Sequence, residues 1–448
     1  MKLGGFAALR ERQRLFTRPC AGGMIGAFFE PRRRFRLRMK PSFIWLCSLL
    51  VIAPCFAADQ RAAEFKTLYD SHDWFQLRGA VRAGKAPAFY QGVMACAFNH
   101  LKDCEGSLRF AIQSAPQSDE AYKAHEVLDY AYQRAGDYRR AFSEVNELLK
   151  AKPDAADVQN ARNFYAGFSR YPDQTVTASR ASKVPYRIDD GNMFIPVTIN
   201  GKSANYMIDT GANLSTISES EAKRLGMTIH GMTAKGYDAT GGEVAFRTAV
   251  ADRLQVGNFR LRNVAFLVIG DDQQVFVGTA QDQRGILGLP VLLALQTVRW
   301  RRDGTFEVGV QLKTNGVRTP NLCFEGGDMV TQAEFGKRKI SLQVDTGAET
   351  TRLWPSFARD FASVVDPFRK NDSTEVGGAG RSVQLESIQV PEVALRVGGT
   401  AVLLHPASVL LKPTTDASQW RHGNLGLDLL NQARAVTIDF KAMTLTLE

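Results

Sequence analysis

The sequence predicts a multidomain α and all-β chain: an arm of helical repeats, then a duplicated, bilobal β-barrel region. Three observations carry this. The tetrapeptide Asp-Thr-Gly-Ala occurs twice, at Asp209–Ala212 and Asp345–Ala348, each time after a strand-like apolar run. Similarity between the two neighbourhoods persists at a constant offset of 136 residues. Near Lys183 the texture changes, from helical periodicity rich in Ala, Leu, Glu, Arg and Gln to short β-rich runs broken by Gly, Asn and Asp.

Residues 1–57 read as a leader. Within them, 1–38 are Arg-rich with no core-forming pattern and read as an upstream mis-start, with Met39 as the initiator. From there Lys40 opens a basic segment, Phe43–Ala53 is a short apolar core, and Cys55-Phe56-Ala57 resembles a small-x-small cleavage site. The apolar run is too short for a comfortable membrane span, so the expected address is periplasmic or secreted, with no stable span after cleavage. The leader also explains the charge. Formal net charge is +10, but residues 1–57 hold 11 Lys/Arg against 2 Asp/Glu, which leaves the body near neutral and makes no case for nucleic acid.

Residues 58–168 form the arm. The run Leu128 to Phe142, with Gly136 at a turn, Ala141 at a close helix approach and Pro153 as a stop, resembles a tetratricopeptide repeat. It departs from that pattern at His125 and Asp129. A preceding unit aligns at an offset of 34, and a third, degenerate hairpin is expected around Phe65–Val81. Such repeats either hold a peptide or partner protein or pack against the next domain, and both readings stay open. Cys96 and Cys104 are spaced to pair across a helix–turn–helix in an oxidising compartment. No Cys/His group has metal-ligand spacing, so neither metal nor other cofactor is expected. Polar residues 169–183 read as a linker.

The β region divides into lobes at 184–312 and 313–448. Met193–Asp209 aligns with Met329–Asp345, and Ala222–Leu225 with Ala358–Phe361. Gly241-Gly242 follows the first Asp by the same spacing as Gly377-Gly378 follows the second. Ile286-Leu287-Gly288 and Asn424-Leu425-Gly426 recur late in each half, and each half then runs through a short helix into a hairpin.

Over about residues 184–448 the chain resembles the retropepsin-like and pepsin-like aspartic proteases. The shared pattern is Asp-Thr-Gly-Ala-x-x-Ser/Thr-x-hydrophobic, at Asp209–Ile217 and Asp345–Leu353, plus the later hydrophobic-hydrophobic-Gly. Ala after the Gly is of the retroviral type, which joins two identical chains, whereas here both halves lie in one. The resemblance implies a monomeric endopeptidase acting on a polypeptide substrate, with Asp209 and Asp345 as the catalytic pair. Two carboxyls close enough to share a proton do not both ionise readily, so one serves as base and the other as acid on a water between them. It also implies that Thr210 and Thr346 bond across the lobe interface. Gly211 and Gly347 permit the tight turn that aims each carboxylate. The late apolar strands are expected to be core rather than chemistry.

Tyr237, Gly241, Gly242, Gly377 and Gly378 read as two hairpin flaps over the cleft, against the plainer reading of surface hairpins. Glu349 and Arg352 put charge beside the second Asp only. That arginine could lower the pKa of the pair or bind an acidic substrate, and could equally face solvent. The alternative function is an exported peptide-binding or scaffold protein that uses a non-cleaving cleft and its helical repeats.

Overall fold

N-terminal helices lead into a large β-rich region in the computed structural model, which describes residues 60–310, 319–370 and 372–448. The expected leader lies outside them. Among the described residues no helix is long and apolar enough to cross a membrane.

Seven helices make the arm: α1 (60–70), α2 (Trp74–Arg82), α3 (Ala88–Ala97), α4 (Leu101–Ser114), α5 (Asp119–Ala135), α6 (Tyr138–Ala151) and α7 (Ala156–Ala166). Their boundaries follow local chemistry. Ser118 accepts the Ala121 N–H to start α5, and Gly136, left-handed at φ 74°, ends it. Asp137 then caps α6 through the Arg140 N–H. Leu128, Tyr132, Ala141, Val145 and Leu148 are buried between successive helices, and a disulfide joins Cys96 to Cys104.

The β region has three sheets. The first is built from β1 (Thr175–Ser179), β3 (Arg187–Asp189), β4 (Asn192–Ile199), β5 (Lys202–Ile208), β6 (Ser215–Ser218), β7 (Ile229–Tyr237), β8 (Glu243–Val256), β9 (Phe259–Ile269) and β10 (Gly285–Leu287). Its central order is β9-β6-β10-β5-β4-β8, and β8 pairs with β9 to close the ring. Three further strands belong to another sheet: β2 (Ser182–Pro185), between β1 and β3 in the chain, and, after a short helix α8 (Leu289–Ala294), the hairpin β11 (Thr297–Arg301) and β12 (Thr305–Val308).

Another sheet contains β13 (Leu322–Glu325), β14 (Asp328–Phe335), β15 (Arg338–Val344), β16 (Arg352–Leu353), β17 (Asp372–Gly377), β18 (Ser382–Val390), β19 (Val393–Val397), β20 (Thr400–Leu404), β21 (Ala407–Leu410) and β22 (Gly423–Leu425). Its central order, β21-β16-β22-β15-β14-β19, follows the same wiring as the first sheet. The difference lies in two interruptions. Pro391 separates β18 from β19, and Pro406 separates β20 from β21, because proline removes a ladder donor. The remaining sheet, β2-β12-β11-β23-β24, adds β23 (Ala435–Asp439) and β24 (Thr444–Leu447) and joins the ends of both halves through β11 and β23.

Residues 169–183 are not a free linker. Thr175-Val176-Thr177 carry β-branched side chains and add β1 as an edge strand on β9, while β2 pairs with β12. Their polarity reflects a solvent-facing edge rather than an absence of structure.

The arm also packs on the β region at both halves. Asn160 of α7 bonds both backbone groups of Lys235 in β7, accepting at 2.9 Å and donating at 2.6 Å. Phe164 packs edge-on to Phe246 of β8. On the other half, His72 stacks on Trp420 at 4.0 Å and pairs with Glu325, and the Arg134 guanidinium lies over Phe324 at 4.4 Å.

Candidate active site

Each Asp-Thr-Gly-Ala tetrapeptide begins where a buried strand ends. β5 runs into Asp209 and β15 into Asp345, and each Asp N–H donates to the strand beside it, to Leu287 at 3.1 Å and to Leu425 at 3.0 Å. β10 and β22 are parallel to β5 and β15, so they pin both loops from below. Gly288 and Gly426 are required there, since a Cβ would meet the backbone of Leu214 at 2.5 Å or of Thr350 at 2.7 Å. Ser215 and Thr351 explain the hydroxyl in the pattern: each accepts the N–H of that glycine, at 3.1 and 2.9 Å.

The two loops lock reciprocally. Thr210 Oγ1 donates to the Val344 carbonyl at 2.9 Å and accepts the Thr346 N–H at 3.0 Å. Thr346 Oγ1 donates to the Ile208 carbonyl at 2.9 Å and accepts the Thr210 N–H at 3.1 Å. All four groups are buried, and none is left without a partner.

This lock brings the carboxyls together. Asp209 is 0% and Asp345 1% exposed. A Cβ on Gly211 would lie 2.5 Å from Asp345 Oδ1, and one on Gly347 would lie 2.4 Å from Asp209 Cγ, so each glycine makes room for the opposite carboxyl. Burial first, and then the facing Asp345 carboxyl, push Asp209 well above the ordinary carboxylate range.

The partners differ between the two acids. Asp209 Oδ1 accepts the Gly211 and Ala212 N–H groups at 2.7 and 3.1 Å, and its Oδ2 has no such donor. Asp345 accepts the Gly347 N–H on Oδ1 at 3.1 Å and the Asn424 side-chain N–H on Oδ2 at 2.9 Å. Asn424 therefore touches a carboxylate, which corrects its assignment to the core. The signal was present: it is a polar residue in a motif whose first-half counterpart is Ile286.

A cavity of about 490 Å³ opens over Asp345 and Gly347. Phe194, Met207 and Ile286 line it from the first half, and Trp354, Val376 and Leu410 from the second. Its rim includes the tips of both glycine hairpins, Ala239 between β7 and β8, and Gly377 and Gly378 at the end of β17. Gly241 and Gly242 shape the first turn without lining the cavity. Tyr237 is 44% exposed and also outside the lining, because its place in the β7 alternation turns it away.

Asp238, which the sequence reading passed over, ties the tips together. Its Oδ1 accepts the N–H groups of Thr240 and Gly242 at 2.9 and 3.0 Å, and its Oδ2 accepts the Gly380 N–H of the opposite hairpin at 3.0 Å. Arg352 is half-buried and lines the cavity. Glu349 lines it too, at an exposed position over Gly191. Among the described residues no group of three or more His, Cys, Asp or Glu could hold a metal ion.

Residues 195–291 match the family model described as aspartyl protease. Among solved structures, the chain is similar to a retropepsin-like aspartic protease from Rickettsia conorii, at 14% identity over 30% of this chain and 93% of that one, with a TM-score of 0.22. It is also similar to an aspartic proteinase from Irpex lacteus, at 12% identity over 59% of this chain and 96% of that one, with a TM-score of 0.35. No curated protein matches the chain.

Proposed function

We propose that the protein is an aspartic endopeptidase that cleaves polypeptides with a water activated between Asp209 and Asp345. The observation that carries this is the pair of buried carboxyls held face to face by the reciprocal Thr210–Thr346 lock. Both acids come from one chain, and the matched order of pairings in the two sheets supports two lobes of common design in a monomer.

The asymmetry of partners assigns the roles. Asn424 and Gly347 donate to Asp345 and favour its charged form, while the Oδ2 of Asp209, which accepts neither of that loop's backbone N–H groups, is the oxygen suited to carry the shared proton. Asp345 takes a proton from the water as its oxygen attacks the peptide carbonyl carbon. Asp209 passes its proton to the developing carbonyl oxyanion, giving a neutral tetrahedral diol. Asp345 then returns its proton to the departing amine, the diol re-forms a carbonyl as the C–N bond breaks, and one hydroxyl proton goes back to Asp209. Steps of this acid–base kind contribute about 10²–10⁴-fold each.

The Cys96–Cys104 bridge supports an exported address in an oxidising compartment. To test the activity, the protein is incubated with a peptide library from pH 3 to pH 8 and new termini are counted by mass spectrometry. The expected outcome is cleavage by the native protein and none by Asp345→Asn. Peptides that bind but are never cut would instead establish the non-cleaving reading.

A further inference from the structure

Arg352 is the one Lys, Arg or His among the residues that line the cavity. It stands on β16, which lies between β21 and β22, so the sheet carries it toward the cleft seven residues after Asp345. Its hydrogen bond is to a backbone carbonyl, that of Glu375 in β17, at 2.8 Å. Among the described residues no carboxylate forms an ion pair with it. The acids around it, in order of influence, are Asp428, Glu349, Asp345 and Glu375. Two of these are engaged elsewhere: Asp428 accepts from the Thr351 N–H, the Thr351 hydroxyl and the Leu429 N–H, and Asp345 from Gly347 and Asn424.

A guanidinium has five N–H donors in a planar fork and stays charged. Taking such a group out of water is costly unless it is paired. Burial pulls the Arg352 pKa below its ordinary value, against the four acids around it, which raise it. Beside it Trp354, Val376 and Leu410 form a small apolar cluster, and all three line the same cavity. Apolar walls that end in a planar cation suit a short aliphatic stem carrying a carboxylate, which can take two parallel N–H bonds. The equivalent position of the first half, Thr216, is buried and outside the lining, so nothing mirrors this arrangement on the other side.

We propose that Arg352 is a specificity-determining residue that selects substrates with a Glu or Asp side chain at one subsite, beneath the β17–β18 hairpin. The proposal rests on the protease reading for its cleavage consequence but not for the contact itself.

The test uses peptide pairs that differ only by Glu against Gln at each position flanking the cut bond, assayed at about pH 6. Native protein is expected to prefer Glu by about tenfold or more at a single position, since hydrogen bonds to charged groups are the stronger kind. Arg352→Met should abolish that preference, Arg352→Lys should keep part of it, and Arg352→Glu should reverse it in favour of Gln. In the native protein the preference should also fade as pH falls below about 4.3, where a Glu side chain gains its proton.

The same pairs are measured by fluorescence anisotropy for binding to Asp345→Asn, which reads recognition without turnover. Equal handling of Glu and Gln by the native protein would overturn the proposal, as would a preference that survives Arg352→Met. If no peptide is cut, the protease reading fails. Binding then decides this one: Arg352-dependent discrimination upholds it, and equal or absent binding overturns it.

Discussion

A carboxylate is governed by its donors, and the two acids of this site have different ones. Asp345 has the Asn424 amide on the oxygen opposite the one held by Gly347, and Asp209 has no equivalent. Asn424→Leu removes a hydrogen bond that favours the charged form of Asp345, so the pKa of the base rises. The acidic limb of the kcat/KM profile, which reports ionisation of the base, should therefore move to higher pH, with kcat down about tenfold. A profile that keeps its acidic limb in place would remove Asn424 from the mechanism. At this scale the sequence was legible where an effect is local or duplicated. Gly211 and Gly347 need the space that the opposite carboxyl occupies, and Thr210 and Thr346 repeat at the same offset. At Asn424 the polar residue in place of Ile286 marked the position, but not its partner, because the contact is made 79 residues away from Asp345, where β22 runs alongside β15.

Elements set which parts of the cleft move. The β7–β8 and β17–β18 hairpins are bonded through Asp238, whose Oδ2 reaches the Gly380 N–H while its Oδ1 organises its own turn. Nothing in Tyr237–Gly242 as a sequence reveals a cross-hairpin bond, since an Asp before a Gly-rich turn is the ordinary occupant of such a turn. Asp238→Ala deletes the clasp and the turn's own acceptor together. Amide hydrogen exchange at Gly378 and Gly380 should quicken, and KM should rise about three- to tenfold, consistent with hydrogen bonds of about 1 kcal/mol each. Unchanged exchange at those amides would mean that the hairpin tips are held by other contacts. The β1 strand teaches a related lesson. Its residues look like a linker in composition because an edge strand has one wet side, and only its pairing with β9 separates the two cases.

The whole molecule has opposed pH dependences built into its two ends. In the arm, burial above all pushes Glu126 up to about 7 and Asp129 up to about 8. A carboxyl that holds its proton more tightly when folded adds stability in full below its unfolded value near about 4. That contribution is lost as pH rises through 7 to 8. Glu325, where the arm docks, behaves the other way. Burial pushes it up, but Arg421 and His72 hold it down to about 2, so its contribution is present above about 4 and lost as pH falls toward 2.

Thermal stability should therefore peak in mild acid and decline toward pH 8.5. Asp129→Asn should flatten the alkaline side, with a gain of about 2–4 °C in Tm at pH 8 that vanishes at pH 4.5. A variant that tracks the native protein at every pH would show that Asp129 does not set the decline. The docking itself, through His72 on Trp420 and Asn160 on Lys235, was beyond the sequence. It depends on which faces of the arm and β region meet, and no periodicity encodes that.

The central claim is that both aspartates, from one chain, act together on a water. Its most direct test is hydrolysis of one cleaved peptide in ¹⁸O-labelled water by the native protein, Asp209→Asn and Asp345→Asn. The account predicts one ¹⁸O atom in each new carboxyl terminus under single-turnover conditions. It also predicts a rate loss of at least about 10²-fold in either variant, since each removes one acid–base partner. Turnover at the native rate in either variant would contradict it.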